Sequence, residues 1–170
     1  MKLIHRDMGD GFTHLLGKSC GCEPREPVRF QRERRKDYRM PEGGISVTRP
    51  SYFANWLCAG DPGRLWIKHV YPSKLRVIIE ADLPTRVTHQ QAAYGYRRWL
   101  IGGGAPGEVI PGWNELNPKI RDVAQRTLTE KRADVLAKLY LLAGADLGCW
   151  CPVESPCHAD ALLEALERTE

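Results

Sequence analysis

The sequence has no long uninterrupted run of apolar residues over its 170 positions. Its opening stretch, MKLIHRDMGDGFTHLL, contains acidic residues and lacks a small-residue cleavage site. A membrane-spanning helix or a secretory signal peptide requires an apolar run of this kind. We therefore expect no membrane segment and predict a cytoplasmic protein. Internal repeats and low-complexity tracts are also missing, which excludes a repeat architecture.

Only six cysteines are present, and in a reducing compartment they do not indicate a disulfide framework. They fit metal ligands, catalytic groups or small buried side chains better. A metal is not required for folding, because 42% of the 170 residues are apolar, enough for one domain with a core. The net charge of +4 is a mild basic excess. It favours an anionic partner such as a nucleotide, a nucleic acid or an acidic protein.

A basic segment at residues 23–40, EPREPVRFQRERRKDYRM, separates a short N-terminal piece from the rest of the chain. It has few residues that could be buried, so its composition predicts an exposed arm or linker. Such an arm either binds an anion or is a solvated loop without a partner. We therefore divide the chain into an N-terminal extension with the basic arm, residues 1–40, and a single α/β domain, residues 41–170.

Three segments of the main body have patterns typical of β-strands. In residues 45–49, apolar and polar side chains alternate up to Pro50. The segments RLWIKHV at 64–70 and KLRVIIEA at 74–81 are rich in strand-forming residues. The Pro-Ser pair at 72–73 indicates a turn between them. These two segments are predicted to form a hairpin.

Helix signals follow the hairpin. Thr88 and Gln91 have capping-box spacing ahead of a helix that ends at the glycines 102–104. Its apolar face consists of Ala92, Tyr96, Trp99 and Leu100. Asn117 is placed to cap a long helix that extends, with one break, to about residue 142.

The C-terminal part reads as a short buried strand, ADLGCWC, and a closing helix, HADALLEALER. The inward side chains of that helix are predicted to be Leu162, Leu163 and Leu166. The order strand, helix, strand, helix predicts a parallel strand pair with a right-handed crossover. The fold class is therefore α/β, with strands 45–49 and 146–151 side by side in a small Rossmann-like sheet. A short cysteine-containing N-terminal extension precedes it.

Three cysteines, a histidine and an aspartate occur within GCWCPVESPCHAD, residues 148–160. They are Cys149, Cys151, Cys157, His158 and Asp160. The two strand cysteines lie on the same side of the strand's end, and the other three residues begin the closing helix. Ligands bind at this edge of open α/β sheets, and the helix amide groups favour an anion. Asp160 could instead be the acidic residue of the helix's first turn. Trp150 alternates with the cysteines and is predicted to lie in the core.

Zinc is the cofactor that this block suggests, because thiolates and a neutral imidazole are its preferred ligands. The spacing differs from the usual C-x-x-C pattern, so a complete local site is one alternative among several. A second source of ligands is the N-terminal segment with His14, Cys20 and Cys22. These residues could hold their own zinc or share one with Cys149 and Cys151. They could also be free thiols in a surface loop.

The sequence also resembles a known family. The stretches RMPEGGISVTRPSYFANW, YGYRRWL and LAGADLGCWCPVESPCHADALLEAL resemble, in order, three signature blocks of the phage and bacterial family called domain of unknown function 4326. The resemblance covers residues 39–167. Arg49, Pro50 and Asn55 match the first block. Its usual Trp, Gly, Pro and Phe are replaced here by Phe53, Ala54, Trp56 and Leu57. Residues 60–85 resemble an insertion, and the family implies no established reaction.

A metal-free active site is the alternative to zinc. Cys157 or Cys151 would be the nucleophile, since a thiol at a helix N-terminus has a lowered pKa. His158 would be the general acid and base, with Asp160 orienting it or binding a substrate hydroxyl.

Two residues of the first block complete this candidate site. Arg49 could bind phosphate and Asn55 could bind an amide or a base edge. Alternatively Arg49 pairs with a core carboxylate and Asn55 caps a turn. We therefore expect a nucleotide- or nucleic-acid-directed enzyme that performs group transfer or hydrolysis. The alternative is a non-enzymatic, zinc-stabilised module that binds nucleic acid or a protein. A redox protein fits less well, because C-x-C is not the thioredoxin spacing.

Overall fold

The computed structural model describes residues 26–70 and 76–169. Within these ranges the chain forms two three-stranded sheets and four α-helices. The strands are β1 (Arg29–Gln31), β2 (Ile45–Ser46), β3 (Leu57–Cys58), β4 (Arg64–Val70), β5 (Arg76–Asp82) and β6 (Leu147–Cys149). The helices are α1 (His89–Leu100), α2 (Pro106–Val109), α3 (Pro118–Ala137) and α4 (His158–Glu167). The mixed α/β class is confirmed.

The first sheet is parallel, with strand order β1-β6-β2. Ile45 pairs with Leu147, so the predicted neighbours are adjacent and parallel. The strand predicted at 45–49 is shorter than expected, because the chain turns where Ser51 donates its amide to the carbonyl of Thr48. A three-stranded sheet of this kind supports the Rossmann-like description only loosely.

Glycine is required at the centre of this sheet. Gly148 lies on β6 directly against Phe30 of β1, and a Cβ atom at this position would be 2.6 Å from the Phe30 ring. Such a distance forces the Phe30 ring to move, so glycine is the residue that fits at position 148 without a shift of that ring.

The prediction of an exposed arm at residues 23–40 is wrong for its middle part. Residues 29–31 form β1, which pairs in parallel with β6. The side chain of Arg29 is 8% exposed. Alternation of Val28 and Phe30 with polar neighbours is a weak strand signal, and the high density of charge obscured it. Residues 33–37 are exposed, as the arm prediction requires.

The second sheet is antiparallel, with strand order β3-β4-β5. β4 and β5 pair along their whole length, from Arg64 with Asp82 to Val70 with Arg76. The predicted hairpin is therefore confirmed, while the predicted turn at 72–73 lies outside the described residues. None of the helices in the described ranges is long and apolar enough to cross a membrane.

The helices begin where the capping signals predict. Thr88 and Gln91 form a capping box at the start of α1. The side chain of Asn117 accepts the Lys119 amide at the start of α3. The predicted break in the long helix is confirmed at Lys138, after which residues 139–142 form a 3-10 turn.

The main core lies between α1, α3, α4 and the two sheets. Trp56 and Trp99 are 1% exposed and pack edge to face, with ring centroids 5.6 Å apart. The hydroxyl of Tyr96 donates to the Phe53 carbonyl at 2.8 Å. Trp56, which replaces a proline of the family pattern, is therefore a core residue. The hydrogen bond from Tyr96 anchors the loop that carries Phe53 and Trp56 to α1.

Candidate metal centre

The three C-terminal cysteines and His158 lie where β6 ends and α4 begins. Cys149 is the last residue of β6, Cys157 is the N-cap of α4, and His158 is its first residue. Residues 150–156 connect the two elements and return the chain to the sheet edge. The sequence predicts this placement, because the cysteines flank a strand-to-helix connection.

The side chains of this block converge on one point. Cys149 Sγ is 3.8 Å from His158 Nδ1, and Cys157 Sγ is 3.6 Å from the same nitrogen. The three ligand atoms of Cys149, Cys157 and His158 lie within 4.8 Å of one another, and all three residues are buried. Cys151 Sγ adjoins this cluster, 3.4 Å from Cys149 Sγ. The three residues Cys149, Cys157 and His158 can hold a metal ion.

The orientation of the His158 ring favours metal binding. Its Nε2 atom is 3.0 Å from the backbone carbonyl of Val47. A carbonyl only accepts hydrogen bonds, so Nε2 carries the hydrogen and Nδ1 of the neutral ring presents a lone pair to the thiols. A metal-binding histidine commonly fixes its tautomer through such a bond on the far nitrogen.

The thiols are electrostatically coupled. Hydrogen bonds from Cys151 and Cys157 hold the pKa of the Cys149 thiol well below its usual range. The same contact with Cys149 raises the pKa of Cys157 and raises the pKa of Cys151 to about 11. The three thiols therefore do not titrate independently of one another, and a divalent cation bound among them would displace their protons.

Arg29 braces the loop between the cysteines. Its guanidinium donates to the carbonyls of Pro152, Val153 and Ser155. Its Nε is also 2.7 Å from Asp160 Oδ1. Strand β1 is thereby connected to both the loop and the start of α4. The sequence contains no signal for this role of Arg29, because the composition of residues 23–40 predicts an exposed arm.

A cavity of about 210 Å³ opens beside the cluster. Arg49 and His89 supply its cationic or potentially cationic groups, and none of the described residues that line it is acidic. The Nε2 atom of His89 is 3.1 Å from Cys151 Sγ. Arg49 is exposed, contacts the Cys58 thiol and lies 6.0 Å from the Trp66 ring. Nothing in the sequence singles out His89, which begins α1 immediately after its N-cap.

The residues predicted to be catalytic lie at this edge of the sheet, but the side chains of Asn55 and Asp160 bind other parts of the fold. Asn55 donates to the Ala92 carbonyl and accepts the Leu57 amide, so both ends of its amide group are used. Asp160 accepts the Cys157 amide at 3.0 Å and pairs with Arg29. These contacts match the alternative roles of the two residues: Asn55 caps a turn, and Asp160 is the acidic residue in the first turn of α4. Arg49 has no carboxylate partner among the residues that the structure describes.

Trp150 is not a core residue, contrary to the sequence prediction. It is half-buried and lines the cavity. The guanidinium of Arg32 lies 4.3 Å from its ring centroid and that of Arg34 lies 5.2 Å away. Arg32 and Arg34 follow β1, the edge strand that pairs with β6, so the Trp150 ring packs against their cationic groups. His14, Cys20 and Cys22, the other predicted metal ligands, lie outside the described residues.

The comparisons with known proteins agree with the resemblance of the signature blocks. No curated protein and no solved structure matches the chain. A family model with the description "Domain of unknown function (DUF4326)" matches residues 30–168. The matched region includes β1 from Phe30, both sheets and α4, together with the complete cysteine cluster. This chain belongs to that family of domains of unknown function.

Proposed function

We propose that this chain is a zinc-stabilised domain that binds the phosphate of a nucleotide or nucleic acid in the cavity beside its metal centre. The observation that carries the zinc assignment is the ring of His158, whose Nδ1 faces the thiols while its Nε2 is held by Val47. The proposed ligands are Cys149, Cys151, Cys157 and Nδ1 of His158.

The distances support zinc. Zinc–sulfur bonds of about 2.3 Å and zinc–nitrogen bonds of about 2.0–2.1 Å place tetrahedral ligand atoms about 3.5–3.8 Å apart. Three separations in the cluster, 3.4 Å between two sulfurs and 3.6 and 3.8 Å between a sulfur and Nδ1 of His158, lie close to this range. Three thiolates with one imidazole are also a common set for structural zinc.

A structural role for the ion follows from the elements that it joins. Cys149 ends the central strand of the parallel sheet and Cys157 begins α4. A four-ligand ion would fix that helix to the sheet and leave no coordination position for a substrate. The chain also has an extensive apolar core, so the ion would add to a fold that burial already favours.

The phosphate-binding part of the proposal rests on the charge of the cavity. Arg49 projects from the loop after β2 and lines the cavity together with His89, and no carboxylate of the described residues lines the same wall, which also carries the thiols of the cluster. Arg32 and Arg34 do not line the cavity, but they lie against the ring of Trp150, which does. A guanidinium without a carboxylate partner is well suited to a phosphate group.

Replacing Arg49 by alanine tests this interface. We expect affinity for a single-stranded oligonucleotide or a nucleoside phosphate to fall about tenfold to a hundredfold, since one charge-assisted hydrogen bond contributes about 1.5–3 kcal/mol. Fluorescence anisotropy at several salt concentrations measures this affinity. For the oligonucleotide, the salt dependence should also decrease by about one phosphate contact.

The matched control for this measurement is Arg126→Ala. Arg126 is exposed on α3 and does not line the cavity. Equal affinities of the two variants would contradict the proposed interface. Absence of binding by the unmodified protein would do the same.

A second candidate function, a nucleotide-directed enzyme, is favoured by His89. This imidazole is exposed, lines the cavity and touches the Cys151 thiol. If it transfers a proton during group transfer or hydrolysis, His89→Gln should reduce the rate about 10²–10⁴-fold. Because the side chain is exposed, the melting temperature should stay unchanged. Turnover is measured on a panel of nucleotides and modified DNA with zinc-loaded protein, and no turnover by the unmodified protein would refute this function.

A further inference from the structure

A buried lysine lies on the opposite side of the loop that carries Arg49. Lys131 is on α3 and only 3% exposed. Its ammonium donates to the backbone carbonyls of Tyr52 at 2.9 Å and Lys68 at 3.1 Å. It also lies 4.6 Å from the centroid of the Tyr52 ring. Carbonyls and a ring stabilise a cation, but they do not neutralise it.

A buried charge normally has a counter-charge in contact with it, because removing an ion from water is costly. Among the described residues, Asp134 on α3 is the acid whose charge acts on Lys131. That carboxylate lies 3.4 Å from the ammonium of Lys138 and 4.0 Å from His69. It is therefore shared with other cationic or titratable groups, and Lys131 lacks a counter-ion of its own.

The ammonium adjoins a cavity of about 180 Å³. Two of the residues that line this cavity are lysines, Lys68 and Lys131, and none of the described lining residues is acidic. Tyr52 and Trp66 supply aromatic surfaces, and Ser51 supplies a hydroxyl. The cavity is smaller than pockets for drug-sized molecules, which measure about 300–1,000 Å³. Its size and charge fit a small oxyanion.

We propose that the cavity between β4, α3 and the loop at residues 50–54 is a binding site for a phosphate group, with Lys131 and Lys68 as its cationic ligands. The anion supplies the counter-charge that the fold does not provide for Lys131. This site is separate from the cavity beside the metal centre, and it does not depend on the zinc or on Arg49.

Lys131 is also poised to respond to pH. Burial lowers its pKa to about 8, an effect that Asp134 opposes and that Lys138 and Lys68 reinforce. The other titratable groups near this site are Tyr52 on the loop and His69 on β4. Because the ammonium form binds the anion, affinity is expected to be highest well below pH 8 and to decrease as the pH rises through about 8.

Titration with inorganic phosphate by calorimetry, in a buffer without other oxyanions, tests the site. We expect binding to the unmodified protein and a loss of at least about tenfold in affinity for Lys131→Met. Lys68→Met should show a similar loss, and it keeps the backbone carbonyl that Lys131 uses. This second variant keeps the test decisive if Lys131→Met does not fold.

Two controls separate this site from other anion binding. Lys119→Met removes an exposed lysine at the start of α3 and should leave the affinity unchanged. All of these variants are made in the Arg49→Ala background, so that phosphate bound in the cavity beside the metal centre does not contribute to the titration. Phosphate binding that persists in Lys68→Met, or that is lost equally in Lys119→Met, overturns the proposal. The same holds if the unmodified protein does not bind phosphate.

Discussion

Replacing Cys157 by serine is expected to remove the bound zinc and to lower the melting temperature by about 10 °C. Structural zinc sites contribute about 10–16 kcal/mol of apparent binding energy to folding. The extensive apolar core also stabilises this fold, so we expect only part of that energy, about 3–5 kcal/mol, to be lost. For a chain of this size, each kcal/mol corresponds to a shift of about 2–4 °C.

Serine is the substitution at this position that best separates loss of the metal from loss of the helix cap. The side chain of Cys157 caps α4 by accepting the Ala159 amide, and Asp160 completes the capping box. Serine is a preferred N-cap residue, so the cap is kept and only the metal-binding sulfur is lost. A stability loss in this variant therefore reports on the ion rather than on the helix terminus.

The measurements are zinc content per chain and thermal unfolding with and without a chelator. The unmodified protein should contain one zinc per chain at this site, and the chelator should lower its melting temperature to that of Cys157→Ser. The variant should not respond to the chelator. Zinc binding by the N-terminal cysteines would add to the count, but it would not depend on Cys157.

Cys58→Ser is the matched control. Cys58 is half-buried and lines the same cavity as Cys157, but its thiol contacts Arg49 rather than the cluster. It should keep both zinc and melting temperature. A zinc-free unmodified protein, or a Cys157→Ser variant that retains zinc at this site and full stability, would refute the metal centre.

The elements with local signals could be predicted from the sequence. The capping box at Thr88, the cap at Asn117 and the alternating pattern of β4 are encoded by residues that are close in sequence. The parallel pairing of β2 with β6 followed from the order of strands and helices. The position of the cysteines at the strand end followed from that pairing.

Contacts over long sequence distances could not be predicted. Arg29 reaches Asp160 across more than a hundred positions, and its strand is three residues long within a highly charged segment. Trp150 lies against Arg32 and Arg34 because that strand occupies the edge of the sheet. Hydrophobic patterning cannot detect a strand that short, and no spacing rule links an arginine to a loop carbonyl 123 residues after it.

The role of Asn55 shows a different limit. Its place in a family block and its polar side chain suggested contact with a ligand, whereas both ends of its amide group bind backbone atoms. A buried loop needs such side chains to satisfy its backbone groups. The sequence therefore identified a residue that matters for the shape of the cavity, but it could not distinguish positioning of the loop from contact with a ligand.

Replacing Arg29 by methionine is expected to weaken zinc binding about 10–100-fold, although the contacts of Arg29 are with the loop and Asp160 rather than with the proposed metal ligands. Mutation of residues that orient metal ligands without binding the metal commonly weakens metal affinity by about this factor. The guanidinium donates to three carbonyls of the connection between Cys151 and Cys157 and pairs with Asp160. Without these bonds the connection is free to move, and the two cysteines are no longer held at a fixed separation.

The variant should also lose about 2–3 kcal/mol in the free energy of unfolding. Breaking a fully buried ion pair costs about 3–5 kcal/mol. The side chain of Arg29 is 8% exposed but that of Asp160 is 50% exposed, so solvent screens part of this interaction. Methionine keeps much of the apolar stem, which confines the change to the lost charge and hydrogen bonds.

Competition with a zinc-binding dye measures the affinity, and urea unfolding of the chelator-treated protein measures the stability without the ion. Arg35→Met is the control, because Arg35 is exposed and pairs only with Glu33 among the residues with described contacts. Arg29→Lys keeps the charge but not the planar fork that serves several acceptors at once, so it should bind zinc with intermediate affinity. If Arg29→Met bound zinc as tightly as Arg35→Met does, the ion alone would order the connection, and β1 would have no part in shaping the metal centre.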